Sequence, residues 1–332
     1  MSVEFHTHQI DIPEDLAGLR LDQALARLLP QYSRQRLQGW IEAGAVLLDG
    51  ALPRSKDRVL GGEQLHIQAQ IEAEASVAAE SLPVDVVYED EALRIINKPA
   101  GVVVHPGAGN PSHTLQNGLL GLDPKLALLP RAGLIHRLDK DTSGLMVVAR
   151  TVDSHRVLVA ALAERQIERR YVAVCLGVLT GGCTVDEPIG RHRTARTKMA
   201  VRADGRKAVT HVRIMERFRA HTQVLVQLET GRTHQIRVHL AHIGHPVVGD
   251  PVYGTRRRYP PGASDELRAT LDGFCRQALH AVELALVHPF TGEALTWKAP
   301  IPADMQGLLA ALALDQRRNA QASASSHARI RR

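Results

Sequence analysis

A series of short apolar runs begins at Leu82 and continues to Pro289. The runs are rich in Val, Ile and Leu, which favour β-strands, and turn residues such as Gly and Pro separate them. They are VDVVYE, LRIINK, GVVVHP, LMVVAR, YVAVCLGVL, KAVTHVRIM, TQVLVQLET and AVELALVHP, with helical stretches such as 154–166 between them. The pattern predicts an α+β domain over residues 82–312, built on a large mixed sheet that is mostly antiparallel.

Two short amphipathic stretches near the amino terminus predict helices. Apolar residues recur at helical spacing over 21–29, and Pro30 ends that stretch. Ser33 is suited to cap a second helix, which Gly44 would stop. A small helical module therefore precedes the β-rich domain.

The same module carries strand signals. Asp49-Gly50 between apolar residues indicates a hairpin, and EQLHIQA indicates a final strand. We therefore predict a small α/β domain over residues 18–80. Its last part, 70–81, alternates Glu with small residues, a composition typical of a linker. The Ala/Ser/Arg-rich segment 313–332 is predicted to be a disordered basic tail.

Charge is distributed unevenly along the chain. The net formal charge is +6, but residues 1–80 carry seven Lys/Arg against twelve Asp/Glu, whereas residues 191–219 carry ten Lys/Arg against two acids. Basic charge collected in one segment suggests a polyanionic partner, and it is equally typical of a solvated basic face. Charge alone does not separate these interpretations.

Cysteine use and hydropathy bound the cellular setting. Cys175, Cys183 and Cys275 form no CxxC pair, which argues against a disulfide framework and a Cys-rich zinc site. No apolar run approaches the ~18 residues that suggest a membrane span, and the amino terminus has no apolar core of a signal peptide. We therefore expect a cytoplasmic protein that does not contact a membrane.

The stretch LIHRLDKDTSGL (134–145) sets Asp139 among basic residues. The acid could pair structurally with Arg137 or Lys140, or it could be kept ionised for chemistry; the residues alone favour the structural pair. The stretch superficially resembles the His-Arg-Asp loop of protein kinases. Leu138 interrupts that motif, and no glycine-rich phosphate loop accompanies it, so we reject the kinase interpretation.

A second polar stretch, ETGRTHQIRVHLAHIGHPVVGDPVYG, covers residues 229–254. Gly231 permits a sharp turn, and Thr233 is predicted to cap a helix that Gly244 ends. Arg232 would then project from the junction of strand and helix. Four histidines suggest a metal site, namely His234, His239, His242 and His245. No HExxH motif accompanies them, so we expect no metal.

Two further stretches hold candidate residues. Tyr171 in ERRYVAVCLG begins a strand, where it is either an ordinary sheet aromatic or a ring that stacks on a base. Lys98 precedes an irregular glycine-rich loop that could cradle a phosphate. That loop lacks the GxxxxGK[ST] form, which argues against a nucleotide-binding P-loop.

Taken together and in this order, these stretches closely resemble the RluA-type pseudouridine synthases. HRLD followed by TSGL, with GRTHQIR downstream, is very specific to that family. The segment RLDQALARLLPQYSRQRLQGWIEAGAVLLDG resembles an S4 RNA-binding domain. The resemblance covers about residues 18–312, which is nearly the whole chain.

The resemblance assigns roles residue by residue. It makes Asp139 the nucleophile, Arg137 the arginine that fills the space left by the flipped nucleotide, Tyr171 the ring that stacks on uracil, Arg232 the partner of the catalytic Asp, and Ile236 a wall of the base pocket. We add His136, Thr142 and Lys98 as candidate substrate-binding residues.

The chemistry implied by the resemblance fits these residue types. Pseudouridine forms when the N1–C1′ bond of uridine breaks, the base turns, and C5 joins C1′. This isomerisation implies no cofactor. It needs an ionised carboxylate; burial disfavours that form, and a guanidinium in contact restores it. Attack at C1′, attack at C6 and removal of a ribose proton all remain open for Asp139.

RNA contacts are expected in two places. The basic segment 191–219 would lie along the RNA backbone, with Arg193, Arg196 and Lys198 as candidates. The amino-terminal module is acidic overall, so its binding face must be local; the candidates are Arg34, Arg36, Arg54, Lys56 and Arg58, which could instead be merely solvated. The target uridine must lie outside a base stack when it reacts.

The resemblance therefore implies a monomeric enzyme that modifies specific uridines of 23S rRNA, as free RNA or in a pre-50S particle, with the helix 69 stem-loop as the expected target. One alternative is an RNA-binding or ribosome-assembly protein that has lost the chemistry, although the set of Asp139, Tyr171 and Arg232 argues against it. Another alternative is a synthase directed at tRNA, which would share every catalytic residue.

Overall fold

The computed structural model describes residues 4–30, 32, 34–71, 77–107, 109–195, 197–254 and 259–330. Two separate hydrophobic cores lie within these ranges. One core is built from residues between 10 and 69, and the larger one from residues of the β-rich region. Each region therefore has the buried apolar side chains that an independently folding domain needs.

The amino-terminal domain consists of two short helices on a small sheet. Its elements are β1 (Glu4–Asp11), α1 (Leu21–Leu28), α2 (Arg34–Glu42), β2 (Val46–Leu48) and β3 (Gln64–Ile71). The sheet has the antiparallel order β1-β3-β2. Leu25 and Leu37 of the helices and Ile67 of β3 are fully buried, so the predicted apolar faces form the core. Both predicted helices are confirmed, and Ser33 lies outside the described residues.

The strand β1 was not predicted. It pairs with β3 along its whole length, from Glu4 opposite Ile71 to Asp11 opposite Gln64. The sequence EFHTHQID has few apolar residues, and its strand conformation depends on a partner more than 50 residues later, which local pattern does not reveal. The small domain therefore begins near residue 4 rather than at 18.

The predicted turn at Asp49-Gly50 is present. Both residues are left-handed, with φ of 49° and 80°, and Leu48 pairs with Ala51 across them. However, β2 pairs along its length with β3, and not with the segment directly after the turn.

The larger domain alternates strands with helices. Its strands are β4 (Val86–Glu89), β5 (Leu93–Lys98), β6 (Ser143–Ala149), β7 (Glu168–Leu176), β8 (Cys183–Asp186), β9 (Ile189–Arg191), β10 (Met199–Val201), β11 (Val209–Arg217), β12 (His221–Leu228), β13 (Leu279–Val287) and β14 (Ala294–Lys298). Its helices are α3 (Leu115–Leu122), α4 (Val152–Ala163), α5 (Gln235–His242), α6 (Asp265–Gly273) and α7 (Ala303–Ile330).

Within the described residues, nine of these strands form one sheet. Its order is β4-β5-β6-β13-β7-β12-β11-β8, with β14 beside β13, while β9 and β10 form a separate hairpin. The pair β6 and β13 is parallel, and the other pairs described for this sheet are antiparallel. The predicted mixed, mostly antiparallel sheet is confirmed.

The centre of the sheet is tightly packed. Every residue of β6 is buried, which explains its unbroken apolar run LMVVA. Gly144 in β6 has a φ of 118°, and a β-carbon there would collide with the backbone of Ala281 in β13. Glycine at this position lets β6 and β13 approach each other just beyond the HRLD stretch.

The register brings the predicted functional stretches together. Gly144 pairs with Ala281, Ala281 with Tyr171, and Tyr171 with Val226, in a line across the sheet. Asp139 lies just before β6, and α5 follows the end of β12. The middle of the sheet therefore positions the HRLD, RRY and GRTHQIR stretches around one point.

Segments 70–81 and 313–332 were predicted to lack regular structure, and parts of both are ordered. Of 70–81, residues 72–76 lie outside the described residues, but Ala78 accepts a hydrogen bond from Asn117 Nδ2 at 2.7 Å, so the segment's end packs on α3. The tail from residue 313 continues α7 to Ile330. Ala-rich sequence favours a helix, and Asp315 anchors it through Arg219 at 3.0 Å.

None of the helices in the described ranges combines the length and the apolar character that crossing a membrane requires.

Candidate active site

A tight turn carries Asp139 to the start of β6. The amide of Thr142 donates to the carbonyl oxygen of Asp139 at 3.1 Å. The hydroxyl of Thr142, which is buried, accepts from Gln277 Nε2 at 3.1 Å. These bonds fix the turn and hold the carboxylate of Asp139 at a cavity, with its side chain 16% exposed.

Lys98 supports this turn and does not line the cavity. Its ammonium group donates to the carbonyl oxygens of Pro99, Val102 and Lys140 at 2.8, 2.9 and 2.9 Å. All three donors are therefore used by backbone. Burial lowers the pKa of Lys98 to about 7, against the opposing charges of Asp141 and Asp139. The expectation that Lys98 contacts substrate is wrong, because its ammonium group is bound to three backbone carbonyl oxygens around the turn.

Arg237 bridges two carboxylates. Its Nη1 donates to Oδ2 of Asp139 at 2.9 Å, while Nε and Nη2 donate to Oδ2 and Oδ1 of Asp250 at 2.7 and 2.8 Å. The side chain of Asp250 is completely buried, and that of Arg237 is 5% exposed. The guanidinium is thus fixed from behind by Asp250 and presents one N–H to Asp139.

The hydrogen bonds between Arg237 and Asp250 keep both side chains charged. Burial opposes the charged form of Asp250, but the hydrogen bonds and the charge of Arg237, with two backbone amides, lower its pKa. Burial likewise opposes the charge of Arg237, and its bonds to Asp250 together with the charge of Asp139 raise its pKa. The Arg237 guanidinium that faces Asp139 therefore stays protonated at physiological pH.

Arg232 is not the partner of Asp139. Its Nε donates to the carbonyl oxygen of Lys207 at 3.0 Å, and its amide donates to Gln235 Oε1 at 2.9 Å. It lines the same cavity at a different point. The predicted pairing is thus corrected to Arg237, since the helix that begins after residue 234 turns Arg237, and not Arg232, toward the carboxylate.

His234 occupies the helix start, where Thr233 had been expected to cap. Its φ of 57° is left-handed, an uncommon conformation for a residue with a side chain. The ring Nδ1 lies 2.7 Å from the hydroxyl of Tyr253, and Nε2 lies 3.8 Å from Oδ1 of Asp139. The Tyr253 oxygen also accepts from the amide of Met199 at 2.7 Å. Burial lowers the pKa of His234, opposed by the charge of Asp139.

A cavity of about 530 Å³ opens above Asp139. It gathers residues that sequence reasoning had assigned to separate stretches. Its lining includes His136, Arg137, Asp139, Thr142, Tyr171, Arg232 and Ile236. A volume of this size lies in the usual range of ligand pockets, about 300–1,000 Å³.

The walls of the cavity have distinct characters. Tyr171 and Ile236 are buried, and burial raises the pKa of Tyr171, so its phenol stays neutral. Arg137 is exposed, so its charge faces solvent at the cavity rim. His136 accepts from the amide of Val147 at 3.3 Å, and burial, followed by the charge of Arg169, lowers its pKa to about 3. His136 is therefore a neutral structural wall.

Comparison with known proteins gives this site its context. A family model described as RNA pseudouridylate synthase matches residues 92–242, and an S4 domain model matches residues 19–65. A Xanthomonas campestris protein named ribosomal large subunit pseudouridine synthase D is 53% identical over 313 residues, which cover 94% of this chain and 95% of that protein. The protein of the same name from Escherichia coli K12 is 56% identical over 305 residues, covering 92% and 94%.

The chain belongs to the RNA pseudouridine synthase family. It is therefore an RNA-modifying isomerase with an amino-terminal S4 domain. Solved structures share the fold of the synthase. Human RNA pseudouridylate synthase domain containing 4 superposes with a TM-score of 0.54 at 27% identity, covering 69% of this chain and 92% of the other. The corresponding domain containing 1 protein gives 0.51 at 26% identity, covering 67% and 85%.

The synthase's basic segment is partly committed to internal contacts. Arg193 is exposed on the β9–β10 hairpin, whereas Lys198 donates to the carbonyl oxygen of Val252 at 3.0 Å. Arg196 lies outside the described residues. Arg217 donates to the carbonyl oxygen of Leu179 at 2.8 Å. Lys198 and Arg217 therefore have partners within the protein.

The candidate RNA-binding residues of the S4 domain also differ among themselves. Nη2 of Arg34 contacts Oδ2 of buried Asp22 at 2.7 Å, while half of its side chain stays exposed. Arg36 is half-buried, and Arg54 and Lys56 are exposed. Arg58 is exposed and donates to the carbonyl oxygen of Gly18 at 2.6 Å. These cations remain candidates for RNA contact.

The histidines that had suggested a metal have other partners. His239 lies 2.8 Å from the Thr210 hydroxyl and 2.9 Å from the carbonyl oxygen of Glu187. His245 lies 2.8 Å from the carbonyl oxygen of Leu176. Over the ranges that the structure covers, no three His, Cys, Asp or Glu side chains converge as ligands.

Sequence reasoning missed Arg169, Arg237 and Asp250, and it considered His234 only as a metal ligand or as a histidine of the helix. Arg237 had a signal, because it is a charged residue between Ile236 and Val238 in a helix that is buried on nearly all sides. The sequence signal for Asp250 was weaker, because it is only an acid in the otherwise apolar and turn-rich stretch PVVGDPVYG.

Proposed function

We propose that this synthase converts specific uridines of large-subunit (23S) rRNA to pseudouridine, with Asp139 as the nucleophile. The observation that carries this proposal is the contact between Asp139 and Arg237, 2.9 Å long, in the cavity that Tyr171 also lines. It combines a carboxylate, a fixed cation and an aromatic ring in a pocket large enough for a flipped base.

The arrangement suits the isomerisation. Attack at C1′, attack at C6 and abstraction of a ribose proton each use a carboxylate oxygen of Asp139, and Arg237 Nη1 holds that carboxylate by a hydrogen bond of 2.9 Å. The N1–C1′ bond breaks, C5 bonds to C1′, C5 loses a proton, and N1 gains one, so no atom enters or leaves overall. Tyr171 would hold the detached uracil by stacking while it turns.

The substrate is inferred from the relatives and from the second domain. The relatives that match nearly the full chain are named for the ribosomal large subunit. The S4 domain adds RNA contacts remote from the chemistry, which raises the effective concentration of the target at the cavity. Arg137 at the rim would fill the space that the flipped uridine vacates.

We propose the helix 69 stem-loop as the target, on the strength of the resemblance to the RluA-type enzymes. A loop presents unstacked uridines, and extrusion of such a base costs less than extrusion from a duplex. The enzyme would act as a monomer in the cytoplasm, on free 23S rRNA or on a pre-50S particle.

The decisive experiment maps pseudouridine by carbodiimide modification in 23S rRNA and tRNA from cells with and without the gene. The proposal expects signals in helix 69 to disappear from 23S rRNA and tRNA signals to stay. Purified enzyme should restore them on deproteinised 23S rRNA or on isolated precursor particles, and comparison of the two rates identifies the better substrate. Loss of tRNA signals alone would overturn the rRNA assignment, and unchanged maps would favour an assembly protein.

A further inference from the structure

Arg169 places a second positive charge in the active-site cavity. It lies on β7, is 6% exposed, and lines the cavity with Asp139 and Tyr171. Its Nε is buried without a hydrogen-bond partner, and its guanidinium forms no hydrogen bond or ion pair with any residue that the structure describes. Arg237 in the same cavity, by contrast, contacts two carboxylates.

A buried, unpaired guanidinium is costly. Charged groups taken out of water are paired in nearly all proteins, because the desolvation penalty is several kcal/mol per ion. The neighbouring Arg170, whose side chain is 37% exposed, does have partners, with Glu283 at 2.7 Å and Glu168 at 2.9 Å. Arg169 is therefore best explained as a cation whose partner arrives with the substrate.

The geometry of β7 indicates where that partner lies. Arg169 and Tyr171 are two residues apart on one strand, so their side chains share the cavity face, whereas Arg170 points to the other face. A β-carbon built on Gly231 would lie 2.8 Å from Nη1 of Arg169. The glycine of the GRTHQIR stretch thus makes room for the guanidinium beside the base pocket.

We propose that Arg169 is a catalytic residue that binds a carbonyl oxygen, O2 or O4, of the flipped uracil and stabilises the negative charge that develops on it. This inference rests on the proposed function. When the N1–C1′ bond breaks, its electron pair stays on the uracil and spreads over N1, O2 and O4. The charge returns to neutral when C5 has bonded to C1′, the C5 proton has left and N1 has been protonated.

The uracil fits better than a phosphate as the ligand. A guanidinium on the same strand face as the stacking ring meets the edge of a base that lies on that ring. The RNA phosphates would stay solvated at the rim, where Arg137 is exposed. A cation that is already present in the cavity acts strongly on charge that appears only during the reaction.

The test uses the full-length enzyme and a 23S rRNA fragment that contains helix 69. Arg169→Gln should lower the single-turnover rate at saturating RNA on the order of 100-fold, the usual effect of removing one such donor. The dissociation constant for RNA should stay unchanged, because the contact matters mainly after the bond breaks. Arg170→Gln is the matched control and should keep the wild-type rate.

Gly231→Ala keeps the arginine but displaces its guanidinium, so it should slow the reaction as well. The double variant Arg169→Gln/Gly231→Ala should then be no slower than Arg169→Gln alone, since both changes remove one contact. Additive losses would overturn the assignment. Thermal unfolding of each variant shows whether a lost rate reflects lost structure.

A substrate with a neutral methylphosphonate 5′ to the target uridine separates the base from the phosphate. The proposal expects this change to slow wild-type and Arg169→Gln by the same factor. If it slowed the wild type but not the variant, Arg169 would contact the phosphate and the proposal would be wrong. An undiminished rate in Arg169→Gln would also overturn it, while the proposed function would stand. If the wild-type enzyme formed no pseudouridine in this RNA, the proposed function and the proposed role of Arg169 would both be wrong.

Discussion

Asp139 and Arg237 are 98 positions apart in sequence and 2.9 Å apart in the fold. Arg237 is held from behind by Asp250, whose two carboxylate oxygens lie 2.7 and 2.8 Å from its Nε and Nη2. Because Asp250 fixes the guanidinium plane, the Nη1 N–H that donates to Asp139 is oriented before any substrate binds. Preorganisation of this kind lets a site stabilise charge without rearrangement during the reaction.

Asp139→Asn should abolish pseudouridine formation while leaving folding and RNA affinity unchanged. The amide keeps the size of the carboxylate but removes its nucleophilic oxygen and its charge. Carbodiimide mapping of the product, with binding and thermal unfolding measured in parallel, checks this. Detectable turnover by the purified variant would exclude Asp139 as nucleophile.

Arg237→Gln should lower the single-turnover rate by about 100-fold or more, because Asp139 loses the guanidinium that binds and orients its carboxylate. Arg237→Lys should not restore it, since an ammonium cannot bridge two carboxylates with a planar fork. The matched control is Arg232→Gln, which removes an arginine from the same cavity without touching Asp139. Equal rate losses in the two variants would contradict the role of Arg237.

Asp250→Asn should destabilise the fold by about 1–3 kcal/mol, because buried Arg237 loses one of its two carboxylate partners and keeps Asp139. The free energy of unfolding in urea measures this. The rate should fall too, because an unanchored guanidinium no longer presents one N–H to Asp139. A variant as stable and as fast as wild type would show that Asp250 does not position Arg237.

Stability should decrease as the pH falls below about 6.5. His221 is fully buried, and burial lowers its pKa to about 4, opposed by the charge of Asp315. Below pH 6.5 the unfolded chain binds a proton that the folded chain does not, so stability is full above this pH and is lost down to about pH 4. His155 and His280 behave alike, with pKa values of about 4.

Urea unfolding between pH 7.5 and 4.5 tests this contribution. One such histidine changes the free energy of unfolding by up to about 1.4 kcal/mol per pH unit. His221→Leu should therefore flatten the profile by that amount. A profile unaffected by His221→Leu would show that this residue titrates alike in both states.

Removal of residues 1–76 should weaken RNA binding while sparing the chemistry on a short stem-loop. The cut leaves Ala78 and Glu80 in place, because both bond to Asn117 of the synthase domain. The remaining domain has its own hydrophobic core. An unchanged dissociation constant and site pattern would make the S4 domain dispensable for recognition.

The sequence by itself determined the elements and the family. Short runs rich in Val, Ile and Leu, separated by turn residues, predicted most strands of the large sheet, because strand propensity and turn signals are local. The HRLD and GRTHQIR stretches identified the class of chemistry, and Asp139, Tyr171 and Ile236 line one cavity. Local pattern did not reveal β1, whose conformation depends on pairing with β3.

Only the tertiary structure decided which charges meet. Arg232 and Arg237 are five residues apart in one motif, and the start of α5 at Gln235 determines which of them faces Asp139. Lys98 looked like a substrate contact until its ammonium was found on three carbonyl oxygens. Ion pairs form between side chains that the fold brings within a few ångströms, and that distance depends on helix rotation and strand register rather than on separation along the chain.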